Sequence, residues 1–181
     1  MSQEVADSVK GLPTIAINNT YQLAPWAAML YAADAEWWGF HNPDFAGLKV
    51  SLMRVAGVKT LVNAGVVGYC DETDRIHTLG NSGAQALQIA VKAGAKRVLL
   101  CGYDMQGCHW HGKHPKPLRN TEPENYAQWC ERYKELAKHL RTRCEVINCT
   151  EDSALTCFPK MSLDAALSLV GKEKRHCAHS A

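Results

Sequence analysis

Two stretches of this chain concentrate residues that do chemistry. The first is His109-Trp110-His111-Gly112-Lys113-His114. Histidines two apart in an extended loop can share a side, and His114 could complete a three-ligand set of the kind zinc accepts. The same imidazoles titrate near neutrality and suit a general base. They could equally contact phosphate together with Lys113 and Arg119, or belong to a solvated loop. No acidic residue inside the loop completes a metal set, so a metal is not expected. Asp104 is the nearest carboxylate. The candidate catalytic residues are therefore His109, His111, His114 and Asp104.

The second stretch is Gly80-Asn81-Ser82-Gly83, which precedes the most regular helical pattern in the chain. Free N–H groups at a helix start, aided by its dipole, attract anions such as phosphate. Glycine permits positive φ and close approach of a ligand. Asn81 or Ser82 could alternatively cap the helix and do nothing more. The stretch lacks the Gly-Lys-Ser/Thr ending of a P-loop and the three-glycine spacing of a dinucleotide fingerprint.

These groups need elements to hold them. Residues 14–18 (TIAIN), 29–33 (MLYAA), 59–62, 97–101 (RVLLC) and 145–148 read as strands. Residues 35–41, 82–93, 123–143 and 162–170 read as helices, with Gly94 stopping the second and Pro123 opening the third. Residues 63–79 read as loop with a short edge strand, and 103–122 as a long polar loop, a length usually tied to function. Strands alternating with helices predict an α/β fold: a Rossmann-like, three-layer, mostly parallel sheet with helices on both faces. The predicted domain spans 1–170, followed by a flexible tail over 171–181.

Ligands of open α/β sheets bind beyond the carboxyl ends of the strands. Here those ends carry Asn18, Asn19 and Thr20, then Asp34, then Asp104, then Asn148, Thr150 and, close behind, Ser153. Each such residue is also an ordinary turn former. Their convergence from four strands predicts a ligand site formed by Asn18, Asn19, Asp34, Gly80, Asn81, Ser82, Gly83, Asn148, Thr150 and Ser153. Trp37, Trp38 and Trp110 could stack on a base or sugar. Adjacent residues on a helix do not share a face, so one of Trp37 and Trp38 is expected near the rim. Trp26 and Trp129 read as core.

Composition narrows the classes of function. A net charge of +2, with the basic residues dispersed, gives no indication of nucleic-acid binding. No apolar run reaches bilayer-spanning length. The opening MSQEVADSVK does not resemble a secretory signal, so the expected location is cytoplasmic. The eight cysteines are then expected as reduced thiols, and none forms a Cys-x-x-Cys pair.

Four blocks occur in order: AINNTYQLAPWAAMLYAADAEWW, GNSGAQALQIAVKAGAKRVLLCGYDMQG, HWHGKHP and EVINCTEDSALTCFP. Together they resemble a family encoded by bacteriophages and prophages, over residues 14–158. More distantly the pattern is similar to the Rossmann-like domain of motility-accessory-factor glycosyltransferases, bacterial sialyltransferases and archaeal hydroxymethylpterin diphosphokinases. The resemblance implies a nucleotide or sugar-nucleotide near Asn18, Asp34, Gly80 to Gly83 and Asp104, with a histidine as base. It implies glycosyl or diphosphate transfer in a host-cell cytoplasm. The alternatives are a non-catalytic phage module that binds a nucleotide or a partner, and a metal-dependent hydrolase using the histidine loop. Such relatives open with a strand and a Gly-x-Gly-Pro-Ser-Leu loop, whereas this sequence opens at Met1-Ser2-Gln3-Glu4. The resemblance thus implies that this strand is missing here, leaving an exposed edge that favours a homo-oligomer.

Overall fold

The computed structural model describes residues 1–107 and 110–178. Its elements form a three-layer α/β arrangement, Rossmann-like, in which a mostly parallel sheet is flanked by helices. Helix α1 (Gln3–Ser8) starts where Ser2 accepts the N–H of Val5. Strands β1 (Ile15–Ile17), β2 (Met29–Tyr31), β3 (Leu48–Ser51) and β4 (Lys59–Thr60) pair in that order, all parallel. A 3-10 turn, Asn18–Gln22, follows β1, and helix α2 (Ala35–His41) follows β2. The sequence reading misses α1 and β3. Alpha1 buries one residue, Ala6, and so carries no apolar periodicity. Strand β3 reads LKVS with Leu48 exposed, and its place is set by pairing with Met29–Tyr31 rather than by propensity.

The predicted strand at 59–62 divides. After β4, the chain exchanges its partner β3 for a new one: β5 (Val62–Asn63) pairs in parallel with β6 (Arg75–Ile76). The amide of Leu61 still donates to Ser51, while that of Val62 donates to Asp74. Helix α3 (Ser82–Lys92) comes next, then β7 (Arg97–Leu100), helix α4 (Pro123–Leu140), β8 (Glu145–Asn148) and helix α5 (Leu163–Ala178), which runs past residue 170. Beta7 and β8 pair in parallel from Arg97↔Glu145 to Leu100↔Asn148. Among the described residues the strands form three separate ladders, β1 to β4, β5 with β6, and β7 with β8.

Alpha3 is the hub of the packing. Ala84, Leu87 and Val91 pack with Leu100, Tyr133, Leu136 and Val146, while Ala86 and Ile89 pack with Tyr31, Val50, Leu61 and Ile76. Burial on two sides explains why nearly every residue from Ala84 to Ile89 is inaccessible. Its two buried amides are satisfied. Gln85 accepts the Tyr31 hydroxyl at 2.8 Å and donates to Thr78 at 2.6 Å. Gln88 holds both backbone groups of His77, at 3.0 and 2.8 Å. A third cluster joins Ala6, Ala16, Leu30, Trp37, Trp38 and Phe45. No helix among the described residues is long and apolar enough to cross a membrane.

Candidate functional site

A cavity of about 460 Å³ opens at the carboxyl ends of β1, β2 and β7, a size suited to a small-molecule ligand. Its walls come from five places. The end of β1 contributes Asn18, Asn19 and Thr20, and the end of β2 contributes Asp34. The start of α3 contributes Gly80 to Gly83, and the end of β7 contributes Cys101 to Gln106. The long loop and the first turns of α4 supply Trp110, His111, His114, Arg119, Asn120, Asn125, Tyr126 and Trp129. The strand-end rule therefore locates the concavity.

The backbone at this rim is bent by design of the sequence. Asn18 has φ of 48°, a left-handed conformation that asparagine tolerates, and it turns the chain out of β1. Leu79 and Gly80 are both left-handed, at φ of 45° and 70°, which swings the chain from β6 into α3. At Gly80 a Cβ would meet Arg132 Nη1 at 2.6 Å and Trp129 Nε1 at 3.1 Å, so α4 fences this glycine closely. Arg132 is itself held by donating to the Leu79 carbonyl at 2.9 Å.

In the Gly80-Asn81-Ser82-Gly83 stretch the Asn81 side chain is engaged in the fold. Asn81 is the N-cap of α3, and its Oδ1 accepts the Ala84 amide at 3.0 Å and the Tyr133 hydroxyl at 2.9 Å. Gly83 is small because a Cβ there would lie 2.8 Å from both Tyr103 Cε1 and the Tyr133 hydroxyl. This stretch offers a ligand Ser82, which lines the cavity, and backbone: among the described residues the Ser82 and Gly83 amides donate to no protein acceptor.

Asp34 differs from Asn81. It is the N-cap of α2, yet its carboxylate makes no capping bond. Water reaches the residue, but the surrounding walls desolvate its carboxyl and push it above the usual range; Glu36 adds to the rise and Arg119 opposes it. Asn19 is buried, and its Oδ1 accepts the Trp37 indole N–H at 2.8 Å. Asp104 lines the cavity, and its carbonyl accepts the Ala154 amide at 2.8 Å.

Asn148, Thr150 and Ser153 do not line the cavity, and their polar atoms are spent on backbone. Asn148 donates to Leu155 at 3.1 Å and accepts the Thr150 amide at 3.1 Å. Thr150 accepts the Tyr103 amide at 2.9 Å, and Ser153 donates to the Tyr103 carbonyl at 2.5 Å. These residues tie the end of β8 to the end of β7 and so fix the wall at Tyr103.

His111 and His114 both face the cavity, with ring centroids 4.6 Å apart, and Trp110 lies edge-on to His111 at 5.4 Å. His109 lies outside the described residues. The loop is pinned from two directions. Asn120 accepts the His114 amide at 2.6 Å and donates to its carbonyl at 3.2 Å. Leu118 buries itself with Trp37 and Trp38. Among the described residues no group of three His, Cys, Asp or Glu side chains could hold a metal ion.

The tryptophans sort differently from the expectation. Trp37 and Trp38 are both core, each 4% exposed, and both indole N–H groups are used inside, Trp38 donating to Ala32. Two adjacent indoles are long enough to reach one core from positions 100° apart on the helix. Trp129 lines the cavity instead, next to Tyr126 at 5.6 Å. Asn125, Tyr126 and Trp129 belong to the wall without forming a motif of their own. The available signal was their i, i+1, i+4 spacing at the start of a helix that follows a functional loop. No protein-family model, curated protein or solved structure matches the chain.

Proposed function

We propose that the cavity binds a nucleotide or sugar-nucleotide and that the protein is a transferase-like phage or prophage protein, moving a glycosyl or diphosphate group to an acceptor. The observation that supports this reading is the meeting, in one concavity at the strand ends, of anion-binding groups with proton-accepting ones. The Ser82 and Gly83 amides at the start of α3 and the Arg119 guanidinium suit a diphosphate. Trp110 on the rim and Trp129 in the wall offer flat faces for a base or sugar.

In such a transfer the acceptor hydroxyl gives its proton to a wall base, its oxygen bonds to the transferred carbon or phosphorus, and the nucleotide leaves with the bonding pair. His111, His114, Asp34 and Asp104 are the bases within the concavity. The α3 amides and Arg119 would stabilise the negative charge that grows on the leaving phosphate. A thermal-shift screen of nucleoside diphosphates and sugar-nucleotides tests the reading. A true ligand at a hundred times its Kd adds about 2.7 kcal/mol and raises the midpoint. No shift with any of them at millimolar concentration would overturn the proposal. A ligand shift without turnover, unchanged in a His111→Ala/His114→Ala variant, would instead favour a non-catalytic binding module.

A further inference from the structure

Two cysteines face each other where β7 and β8 end. The ladder closes with Leu100 opposite Asn148, and the next residues on the two chains are Cys101 and Cys149. Successive side chains of a strand point to opposite faces. Leu100 and Asn148 are both buried, so Cys101 and Cys149 project together from the other face, where both are half-buried. Among the described residues no strand register sets any other two cysteines opposite one another.

The backbone holds this rung closed from both sides. Before it, the Cys149 amide donates to the Leu100 carbonyl at 2.9 Å. Beyond it, the Tyr103 amide donates to Thr150 Oγ1 at 2.9 Å, and the Ser153 hydroxyl donates to the Tyr103 carbonyl at 2.5 Å. Neighbouring strands lie about 4.7–4.9 Å apart. A disulfide spans Cα atoms about 4.4–6.8 Å apart. The two strand ends can therefore be bridged while their backbone bonds stay in place.

The two thiols are not equivalent. A hydrogen bond to Cys149, together with burial, pushes the Cys101 thiol up, and the same bond holds Cys149 below the ordinary thiol range. Cys101 is thus the donor and Cys149 the acceptor. The thiolate is the attacking form of cysteine, so Cys149 is the nucleophile and Cys101 the thiol that resolves the product. Cys101 also lines the cavity, so the pair stands at a wall that a small molecule can reach.

We infer that Cys101 and Cys149 form a reversible redox site at the cavity wall, closed to a disulfide by a small-molecule disulfide. The Cys149 thiolate attacks one sulfur of that molecule, forms a mixed disulfide and expels the first small thiolate. Cys101 then gives up its proton, its sulfur bonds to that of Cys149, and the second small thiolate leaves. The two electrons lost by the pair reduce the small disulfide to two thiols, which take up the protons of the two cysteines. No nucleotide enters this exchange, so it stands independently of the transferase reading.

Glutathione disulfide is the probe, added to the reduced full chain at neutral pH, with peptide mapping by mass spectrometry after an acid quench. The expected product is a Cys101–Cys149 linkage with two glutathiones released for each linkage, and dithiothreitol should restore both thiols. In Cys101→Ser the second step is blocked, and Cys149 should keep one glutathione. In Cys149→Ser, Cys101 should react at least about tenfold more slowly than Cys149 does in Cys101→Ser. Equal rates in the two variants would overturn the order of attack. A lasting glutathione adduct on either thiol of the unaltered chain, or disulfides confined to other cysteines, would overturn the site. So would a Cys101–Cys149 linkage that forms only in denaturant, because the fold would then not be what brings the thiols together.

Discussion

Asn81 offers a sharp division between a residue that binds a ligand and one that holds the fold. Its Oδ1 is the single acceptor for the Ala84 amide and the Tyr133 hydroxyl, and Tyr133 is completely buried. Asn81→Ala removes an N-cap, worth about 1 kcal/mol. It also strands the Tyr133 hydroxyl away from water, costing about 1–3 kcal/mol. The sum is about 2–4 kcal/mol, on the order of 10 °C in the midpoint for a chain of this size. Tyr133→Phe alone leaves the cap intact and should cost about 1 kcal/mol. In the double variant no hydroxyl is stranded, so its cost should fall below the sum of the singles by about 1–2 kcal/mol. Urea melts of the four proteins at neutral pH measure this cycle. Additive costs would show that the shared acceptor is not the source of the effect. An Asn81→Ala variant that keeps its stability but loses ligand binding would refute the assignment of Asn81 to the fold.

The other expectations are more compact. Asn19→Ala should destabilise the fold by about 1–3 kcal/mol, because the buried Trp37 indole N–H loses its acceptor; a change below about 0.5 kcal/mol in denaturant melts would count against this. Asp34→Asn should behave oppositely, leaving stability within about 0.5 kcal/mol while abolishing the ligand-induced shift, since its carboxylate caps nothing. Burial pushes the Tyr31, Tyr103 and Tyr133 hydroxyls above the ordinary phenol range, aided by Asp34 at Tyr31, by Cys101 at Tyr103 and by Tyr103 at Tyr133. The unfolded chain therefore binds fewer protons above the unfolded phenol pKa, so the contribution of these three hydroxyls to stability is constant below about pH 10 and is lost above it. Ultraviolet titration should show these tyrosines ionising only as the fold is lost. Gly83→Ala should cost about 1–3 kcal/mol, because its methyl meets two tyrosines and the Asn81 cap; a neutral effect would show that the rim there is looser than its contacts imply.

Elements whose sequence matches their burial were legible. Alpha3 carries its cap, its apolar faces and its Gly94 stop within the sequence, and α4 opens on Pro123. Beta7 and β8 are short apolar runs covered by α3 and α4. Beta3 was not legible, because Leu48 and Lys49 follow no alternation and only pairing with β2 makes them a strand. The single expected strand at 59–62 hid a change of partner, since Thr60 and Val62 differ in what lies beside them and not in propensity.

The site divides along the same line. Asparagine, serine, threonine and aspartate stand at or just beyond the ends of β1, β2, β7 and β8, and their types predict equally a ligand contact and a brace. What separates them is whether a backbone group lies within reach, a property of the far strand or helix. At β8 the carbonyls of Tyr103 and Leu155 and the Tyr103 amide take up Asn148, Thr150 and Ser153. At α2 the equivalent cap position leaves Asp34 unused, facing the cavity with Arg119 acting on it. A polar strand end becomes a candidate for chemistry only when the fold has found no employment for it. By that criterion Asp34 and the first amides of α3 form the part of the rim on which substitutions should change binding more than stability.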